Sequence, residues 1–237
     1  MEVINTRTGQ GVRLRRSLIR NGAYWFSKRC IDVCLALLVL TLLSPLWLII
    51  AVVIKLTSRG PVLYVEKREV GKDGKIFTLY KFRTMYNGND NSQHKRIVKE
   101  LIKDGNAPTV IEDGNGQHKK IYKVINDPRV TPVGRILRRL GLDEVPQFIN
   151  VLRGEMSVVG PRPALYYEYE LYEDWHKNRL SVLPGITGLY QVTARSAVTF
   201  DQMVRIDLEY IEKRSLWLDL KIMLLTSWVM ITGKGAH

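Results

Sequence analysis

The sequence predicts a mostly helical α+β chain with a re-entrant membrane helix hairpin, amphipathic interfacial helices and a small β-hairpin. Three observations predict it. Val33 to Ile54 carry no charge over 22 positions, yet Pro45 interrupts them near the centre. Alternating β-branched and aromatic residues flank the turn dipeptide Asp73-Gly74. From Asp127 to Gly154 the pattern is helical, with stops at Gly141 and Gly154, and the tail from Phe200 onward is helical again.

The 237 residues divide into a basic segment, 1–27, a re-entrant helix, 28–58, broken at Ser44-Pro45, and a catalytic domain, 59–237, with a variable polar insertion at about 87–122. Lys and Arg number 36 against 23 Asp and Glu, a net charge of +13. That excess points to an anionic partner: nucleic acid, anionic lipid or a phosphorylated substrate. Cys30 and Cys34 are the only cysteines. Their spacing fits neither a zinc ligand set nor a disulfide framework, and they read as small apolar residues in a reducing compartment. A secretory signal peptide fits poorly, because the apolar run is too long and no small-residue cleavage site follows it.

Residues 1–29 hold seven Arg or Lys and one acid, Glu2, with Leu18, Ile19, Tyr24, Trp25 and Phe26 between the charges. Leading into an apolar run, this composition suits a juxtamembrane segment bound to anionic lipid head groups. A DNA-binding arm would be as basic, but would not be expected to feed into 22 uncharged residues. Beyond the run, Lys55 to Arg83 has eight basic and three acidic residues. With both flanks positive, a single crossing would put one of them on the wrong side of the membrane, whereas a hairpin keeps both cytoplasmic. Val33 to Leu43 is eleven residues, about 16 Å of helix, or roughly half the ~30 Å hydrocarbon core. Ser44 is placed to hydrogen-bond carbonyls freed at Pro45. A straight span with a tolerated proline kink is the alternative.

The insertion is rich in Asn, Gly and Asp, with a short helix expected over 93–103. Pro132 suits the first turn of a helix, and Arg135, Arg138 and Arg139 then share one face. A second helix is expected from Asp143, which reads as its N-cap ahead of Pro146. "MSVVGPRPA" reads as a short buried strand leading into a rigid turn. In the tail, Trp217 and Trp228 lie near one face of a helix, which suits equally an interfacial helix and a core one.

The chemistry concentrates in "RRLGLDEVPQ". Asp143 and Glu144 are adjacent carboxylates at a helix start, with three arginines just upstream and Arg162 fixed between Pro161 and Pro163. Arginines neutralise phosphate oxygens, and carboxylates hold a divalent metal or act as nucleophile, so these are the parts of phosphoryl chemistry. There is no Walker loop and no Cys/His metal set. His94, His118, His176 and His237 form no triad signature.

Taken in order, "KRCIDVCLALLVLTLLSPLWLIIAVVIKLTSRGPVLYVEKREVGKDGKIFTLYKFRTM", "DPRVTPVGRILRRLGLDEVPQFINVLRGEMSVVGPRP" and "LPGITGLYQVTARS" resemble the bacterial sugar transferase family. These are the monotopic polyprenyl-phosphate phosphoglycosyl transferases, and the resemblance, over about 27–236, is to their catalytic domain. It implies transfer of a sugar-1-phosphate from a UDP-sugar to undecaprenyl phosphate at the cytoplasmic face of the bacterial inner membrane, with UMP released. By the same resemblance Asp143 is the nucleophile that carries a covalent phosphosugar, and Glu144, with Asp143, holds Mg²⁺. Arg138, Arg162 and Arg195 contact phosphate or nucleotide, and Ser44-Pro45 break the re-entrant helix. The implied partners are the UDP-sugar, undecaprenyl phosphate and anionic inner-membrane lipids, without nucleic acid. Glu66 and Tyr190 depart from the family's frequent glutamine and tryptophan. A membrane-tethered nucleic-acid-binding or scaffold protein is the alternative of another class, and a phosphatase with an aspartyl intermediate is a third. The charge supports a nucleic-acid role, which leaves Asp143-Glu144 and Pro161-Arg162-Pro163 without a function. The sugar, and whether identical chains associate as a homo-oligomer, stay open.

Overall fold

A computed structural model describes residues 22–87, 102, 109–112, 118–121, 127–194 and 198–232. The basic segment before Gly22 and most of the insertion, including the expected helix over 93–103 apart from Ile102, lie outside the described residues.

Helix α1 (Gly22–Leu42) and helix α2 (Ser44–Thr57) meet at Leu43 with a bend of 61°. Pro45 sits in the first turn of α2, where its missing amide has no carbonyl to serve. Ser44 Oγ donates to the Thr41 carbonyl at 2.8 Å, taking up an acceptor that the break releases. Among the described residues no single helix is long and apolar enough to cross a membrane, but this bent pair has the length and composition together.

The hairpin forms as the alternation predicts. Strand β1 (Leu63–Val70) pairs antiparallel with β2 (Ile76–Phe82) around a tight turn where Asp73 and Gly74 take φ of 56° and 77°. The register slips between Glu66 and Glu69: Glu66 faces Leu79 and Glu69 faces Phe77, so β1 carries one residue more than its partner. This is a β-bulge. A second, short hairpin, β3 (Thr109–Glu112) with β4 (His118–Ile121), lies in the polar insertion and was not expected.

Helix α3 (Pro132–Leu140) starts at Thr131, whose Oγ1 accepts from Gly134 N at 2.8 Å, and ends at Gly141, φ 65°. Next comes a 3-10 turn, Leu142–Glu144, and α4 (Gln147–Arg153), closed by Gly154 at φ 78°. The expectation that Asp143 caps α4 is corrected here. The helix starts only at Gln147, Pro146 stands at its N-cap position, and no side chain caps it. The proline's fixed φ supplies the turn into the helix, so the carboxylate is left for other partners.

Strand β5 (Ser157–Val159) is fully buried and pairs in parallel with β7 (Gly185–Thr187). Between them, β6 (Ala164–Leu165) adds a third strand beside β1, and two short helices follow, α5 (Tyr166–Tyr169) and α6 (Asp174–Lys177). Helices α7 (Leu189–Thr193), α8 (Phe200–Lys213) and α9 (Leu216–Thr232) complete the chain. The main core gathers Phe77, Leu79, Val151, Met156, Val159, Tyr210 and Ile222 from both hairpin and helices.

Helix α1 is bolted to this core by buried polar groups. Lys28 Nζ meets Asp219 Oδ2 at 2.9 Å, with Tyr24 and Tyr210 hydroxyls donating to the same carboxylate at 3.0 and 2.7 Å. Asp32 accepts from Val158 N at 3.0 Å, and Arg29 donates to the Val151 and Leu152 carbonyls at the end of α4. The last turn of α1 and the outer face of α2 are bare: Leu42, Leu48 and Leu56 are 71%, 70% and 81% exposed. The inner face of α2 seats Ile50 and Ile54 on Phe82 and Leu137.

The join between hairpin and α3 is close enough to admit only glycine. A Cβ at Gly134 would lie 2.1 Å from the Thr84 carbonyl oxygen. Alanine favours a helix over glycine by about 1 kcal/mol. The steric conflict opposes that gain, and Gly134→Ala is expected to destabilise the chain by about 1–3 kcal/mol. Thermal unfolding in detergent measures this; an unchanged or higher midpoint would show that α3 is not seated on Thr84.

Candidate active site

Asp143 and Glu144 occupy the 3-10 turn between α3 and α4, both half-buried. Two adjacent carboxylates away from water repel one another and lose hydration, so each favours its protonated form unless cations are near. Desolvation pushes the Asp143 carboxyl above its ordinary pKa, while Arg138, Lys81 and Arg162 pull it back. Glu144 is raised by desolvation and then by Asp143, with Arg162 and Lys81 opposing.

Each of the three cations comes from a different element. Arg138 lies in the last turn of α3, its Nε donating to Thr84 Oγ1 at 2.9 Å. That bond and the Thr131 N to Thr84 O contact of 3.0 Å tie α3 to the end of the hairpin. Arg162 sits between β5 and β6 and keeps solvent-exposed surface. Desolvation works against its charge, but Glu144, Glu168 and Glu69 outweigh that and raise its pKa. Its carbonyl accepts from Arg179 Nη2 at 3.0 Å. Arg179 is itself buried, donating also to Asp207 Oδ2 at 2.6 Å and Tyr172 Oη at 2.8 Å. The proline-flanked arginine is thus held from beneath by a buried ion pair.

Lys81 is the cation the sequence reading missed. It lies on β2 opposite Tyr64, with Nζ 4.9 Å from the Tyr64 ring centroid. Desolvation and Arg162 lower its pKa, and Glu69, Glu144 and Asp143 raise it. Its signal was present in the alternation: Phe77, Leu79 and Lys81 share one face of β2, and a lysine extending a buried apolar face needs an anionic neighbour.

The structure therefore brings together Asp143, Glu144, Arg138 and Arg162, and adds Lys81, Glu69, Glu168 and Tyr190 around Arg162. Arg195 lies outside the described residues. Ser44-Pro45 stand at the helix break, where α2 packs on α3 through Ile50, Ile54 and Leu137. Gly141, which ends α3 just before the carboxylates, meets the tail of α9: a Cβ there would lie 2.9 Å from Met230 Cε. His176 is buried against Tyr172, Trp175 and Phe200, accepts from Glu173 N and sits 3.2 Å from Asp201, a structural set of contacts.

Among the described residues no three His, Cys, Asp or Glu side chains converge as a metal cage. The donor set suits Mg²⁺ nonetheless, since that ion is commonly bound by one or two carboxylates with water and substrate phosphate filling the remaining positions.

Glu69 completes the acidic set. It is 5% exposed, and its pKa is pushed up to about 7 by burial, then lowered by Arg162, raised by Glu168, lowered by Lys81 and raised by Glu66. Between its ordinary value and about 7 the folded chain binds the extra proton, so stability falls as pH rises through that window. Above about 7 the cost of the buried charge is present in full; below the ordinary value it is gone. Glu69→Gln is expected to stabilise the chain by up to about 3 kcal/mol above pH 7, with the gain shrinking to nothing near pH 4. Melting curves of both proteins across pH 4–8 measure it, and a gain that grows as pH falls would contradict the burial.

The family model described as bacterial sugar transferase matches residues 23–233. The exopolysaccharide production protein ExoY of Sinorhizobium fredii is 38% identical over 211 residues, covering 89% of this chain and 88% of that protein. The galactosyl transferase CpsE of Streptococcus agalactiae is 42% identical over 178 residues, 75% of this chain and 36% of that one. The UDP-glucose:undecaprenyl-phosphate glucose-1-phosphate transferase of Escherichia coli is 38% identical over 218 residues, 89% of this chain and 41% of that one. The chain thus spans about two fifths or less of these last two relatives.

Proposed function

The chain belongs to the bacterial sugar transferase family, and from that premise we propose that it moves a sugar-1-phosphate from a UDP-sugar to undecaprenyl phosphate, an early membrane step in building a surface polysaccharide. The observation that carries this reading is the convergence of Arg138, Lys81 and Arg162 on the Asp143-Glu144 pair. A carboxylate attacks an anionic phosphorus only where cations cancel the repulsion, and three from separate elements are gathered here.

In the first step an Asp143 carboxylate oxygen bonds to the β-phosphorus of the UDP-sugar. The bond from that phosphorus to the bridging oxygen breaks, and UMP leaves with the oxygen. In the second step a phosphate oxygen of the lipid carrier attacks the same phosphorus. The bond to Asp143 breaks, the carboxylate is regenerated, and a polyprenyl-diphosphate-sugar results. Partial burial of Asp143 strips water from the nucleophile and raises its pKa, and Arg138 and Lys81 oppose that rise by favouring the ionised form. Glu144, with Asp143, would hold Mg²⁺, which supplies charge neutralisation at the diphosphate. Arg162 faces Glu144 and is placed to take phosphate oxygens.

The same reading sets the chain on the cytoplasmic face of the bacterial inner membrane, with α1 and α2 entering and leaving one leaflet. Its support is the 61° bend, the bare leucines of both helices and an exposed stripe on α9, where Trp217 and Trp228 are 74% and 62% exposed. Ile136 and Leu140 of α3, the helix just before the carboxylates, are exposed apolar residues as well. Anionic head groups would meet the basic residues before Gly22.

Two experiments test the proposal. Detergent-solubilised protein given Mg²⁺, a panel of UDP-sugars and undecaprenyl phosphate is expected to release UMP in a lipid-dependent manner, and Asp143→Asn to lose at least about 10³-fold of that rate. Unchanged turnover in that variant would remove Asp143 as nucleophile, and UMP release indifferent to lipid would point to water as the acceptor. For the topology, a cysteine is introduced near residue 10 in a background where Cys30 and Cys34 are serine. Ser44→Leu with Pro45→Ala is expected to straighten the helix and carry that cysteine from cytoplasmic to periplasmic labelling. Continued cytoplasmic labelling would show that the break does not set the topology.

A further inference from the structure

The bulge in β1 places a second carboxylate where regular pairing would not. Residues directly opposite one another on antiparallel strands project to the same face. Tyr64 lies opposite Lys81, Glu66 opposite Leu79 and Glu69 opposite Phe77, so all six share a face. Without the extra residue, strict alternation would turn Glu69 to the other face. The register slip brings Glu69 inward instead, onto the side from which Lys81 reaches Asp143 and Glu144.

There Glu69 is nearly sealed from solvent, and its Oε2 has no hydrogen-bond partner. Two other carboxylates on this side already have partners. Glu66 accepts from Tyr64 Oη at 2.6 Å, and Glu168 accepts from Leu165 N at 3.2 Å. A buried acceptor left without a donor is costly, which singles out Glu69 as waiting for one. It shares Arg162 with Glu144, and Lys81 with both members of the pair, so it lies beside the place where the transferred phosphate would sit. In a nucleotide sugar, the group joined directly to that phosphate is the sugar ring. The uracil is separated from it by a second phosphate and a ribose.

We propose that Glu69 accepts a hydrogen bond from a hydroxyl of the transferred sugar and so helps decide which UDP-sugar is used. The proposal rests on the transferase reading above. Lys81 and Arg162 hold the phosphate, and the Glu69 Oε2 meets the ring one step further on. A sugar lacking that hydroxyl, or presenting it on the other side of the ring, leaves the carboxylate unsatisfied and is rejected on that account.

The test uses the full chain in detergent with Mg²⁺ and undecaprenyl phosphate, measuring UMP release. Wild type is compared with Glu69→Gln and Glu69→Asp on UDP-glucose, UDP-galactose and UDP-N-acetylglucosamine, and then on monodeoxy analogues of the preferred sugar. With the preferred sugar, both variants are expected to lose about 10- to 100-fold in kcat/KM. One deoxy analogue should cost wild type a similar factor and cost the variants nothing more, while the Kd for UMP stays within about twofold. Losses that multiply on every analogue, a weakened UMP affinity, or full recovery in Glu69→Asp would each overturn the contact, the last by showing that charge alone is needed. Lack of UMP release by wild type with every sugar is a different result, and it would strike the transferase reading itself.

Discussion

Two carboxylates side by side and half out of water form the constraint from which the rest of the arrangement follows. Asp143 and Glu144 cannot both stay ionised in a desolvated turn without positive charge close by. A cation next in sequence would be the simplest supply, yet only Arg138 comes from the adjoining helix. Lys81 and Arg162 arrive from β2 and from the loop after β5, respectively. The charge that favours ionising the pair in its desolvated turn is therefore present only once hairpin, helix and loop are assembled, which makes the site a property of the tertiary fold.

The groups behind these cations show how that assembly is held. Gly134 lets α3 lie against Thr84, and Arg138 closes the same junction through its Nε. Asn150, fully buried in α4, accepts from Tyr80 N at 3.2 Å and donates to Thr78 O and Glu155 Oε2, both at 2.6 Å. It pins the helix after the carboxylates to the strand that carries Lys81. Arg179, paired with Asp207, does the same for Arg162. A buried ion pair is weak evidence for net stability. A fixed backbone beneath an exposed arginine is a more direct account of why this one is present.

What could be read from the sequence follows from how local each feature is. The hairpin turn at Asp73-Gly74, the start of α3 at Pro132 and the stops at Gly141 and Gly154 need only neighbouring residues, and each was legible. The cap reading of Asp143 failed because Pro146 sets the entry to α4, leaving the acid one turn too early to serve it. Lys81 was legible in principle from the Phe77, Leu79, Lys81 alternation, but only once the apolar face of β2 is known to be buried. Glu69 was not legible, since the bulge shifts the register by one and alternation assigns it to the wrong face. Asp219 stands in an otherwise largely apolar helix. Its partner Lys28 lies 191 residues earlier, a separation that no local pattern spans.

The proposed two-step exchange would explain why one set of cations is enough for two chemically different substrates. Under the proposed mechanism the nucleotide sugar and the lipid carrier never need to be bound together, because the phosphosugar waits on Asp143 between them. Both steps then place the same phosphorus at the same carboxylate, so Arg138, Lys81 and Arg162 act on the same transferred phosphate in both. The substrates differ in where they come from. On that proposal the nucleotide would come from water and the lipid phosphate from the bilayer surface, toward which the exposed Leu48, Ile136 and Trp228 of α2, α3 and α9 would face. The turn bearing Asp143 follows directly from α3, on which α2 is seated through Ile54 and Leu137. Under the proposed topology, anchoring α2 in the membrane would also fix the height of Asp143, and the bend at Ser44-Pro45 would become part of the catalytic geometry.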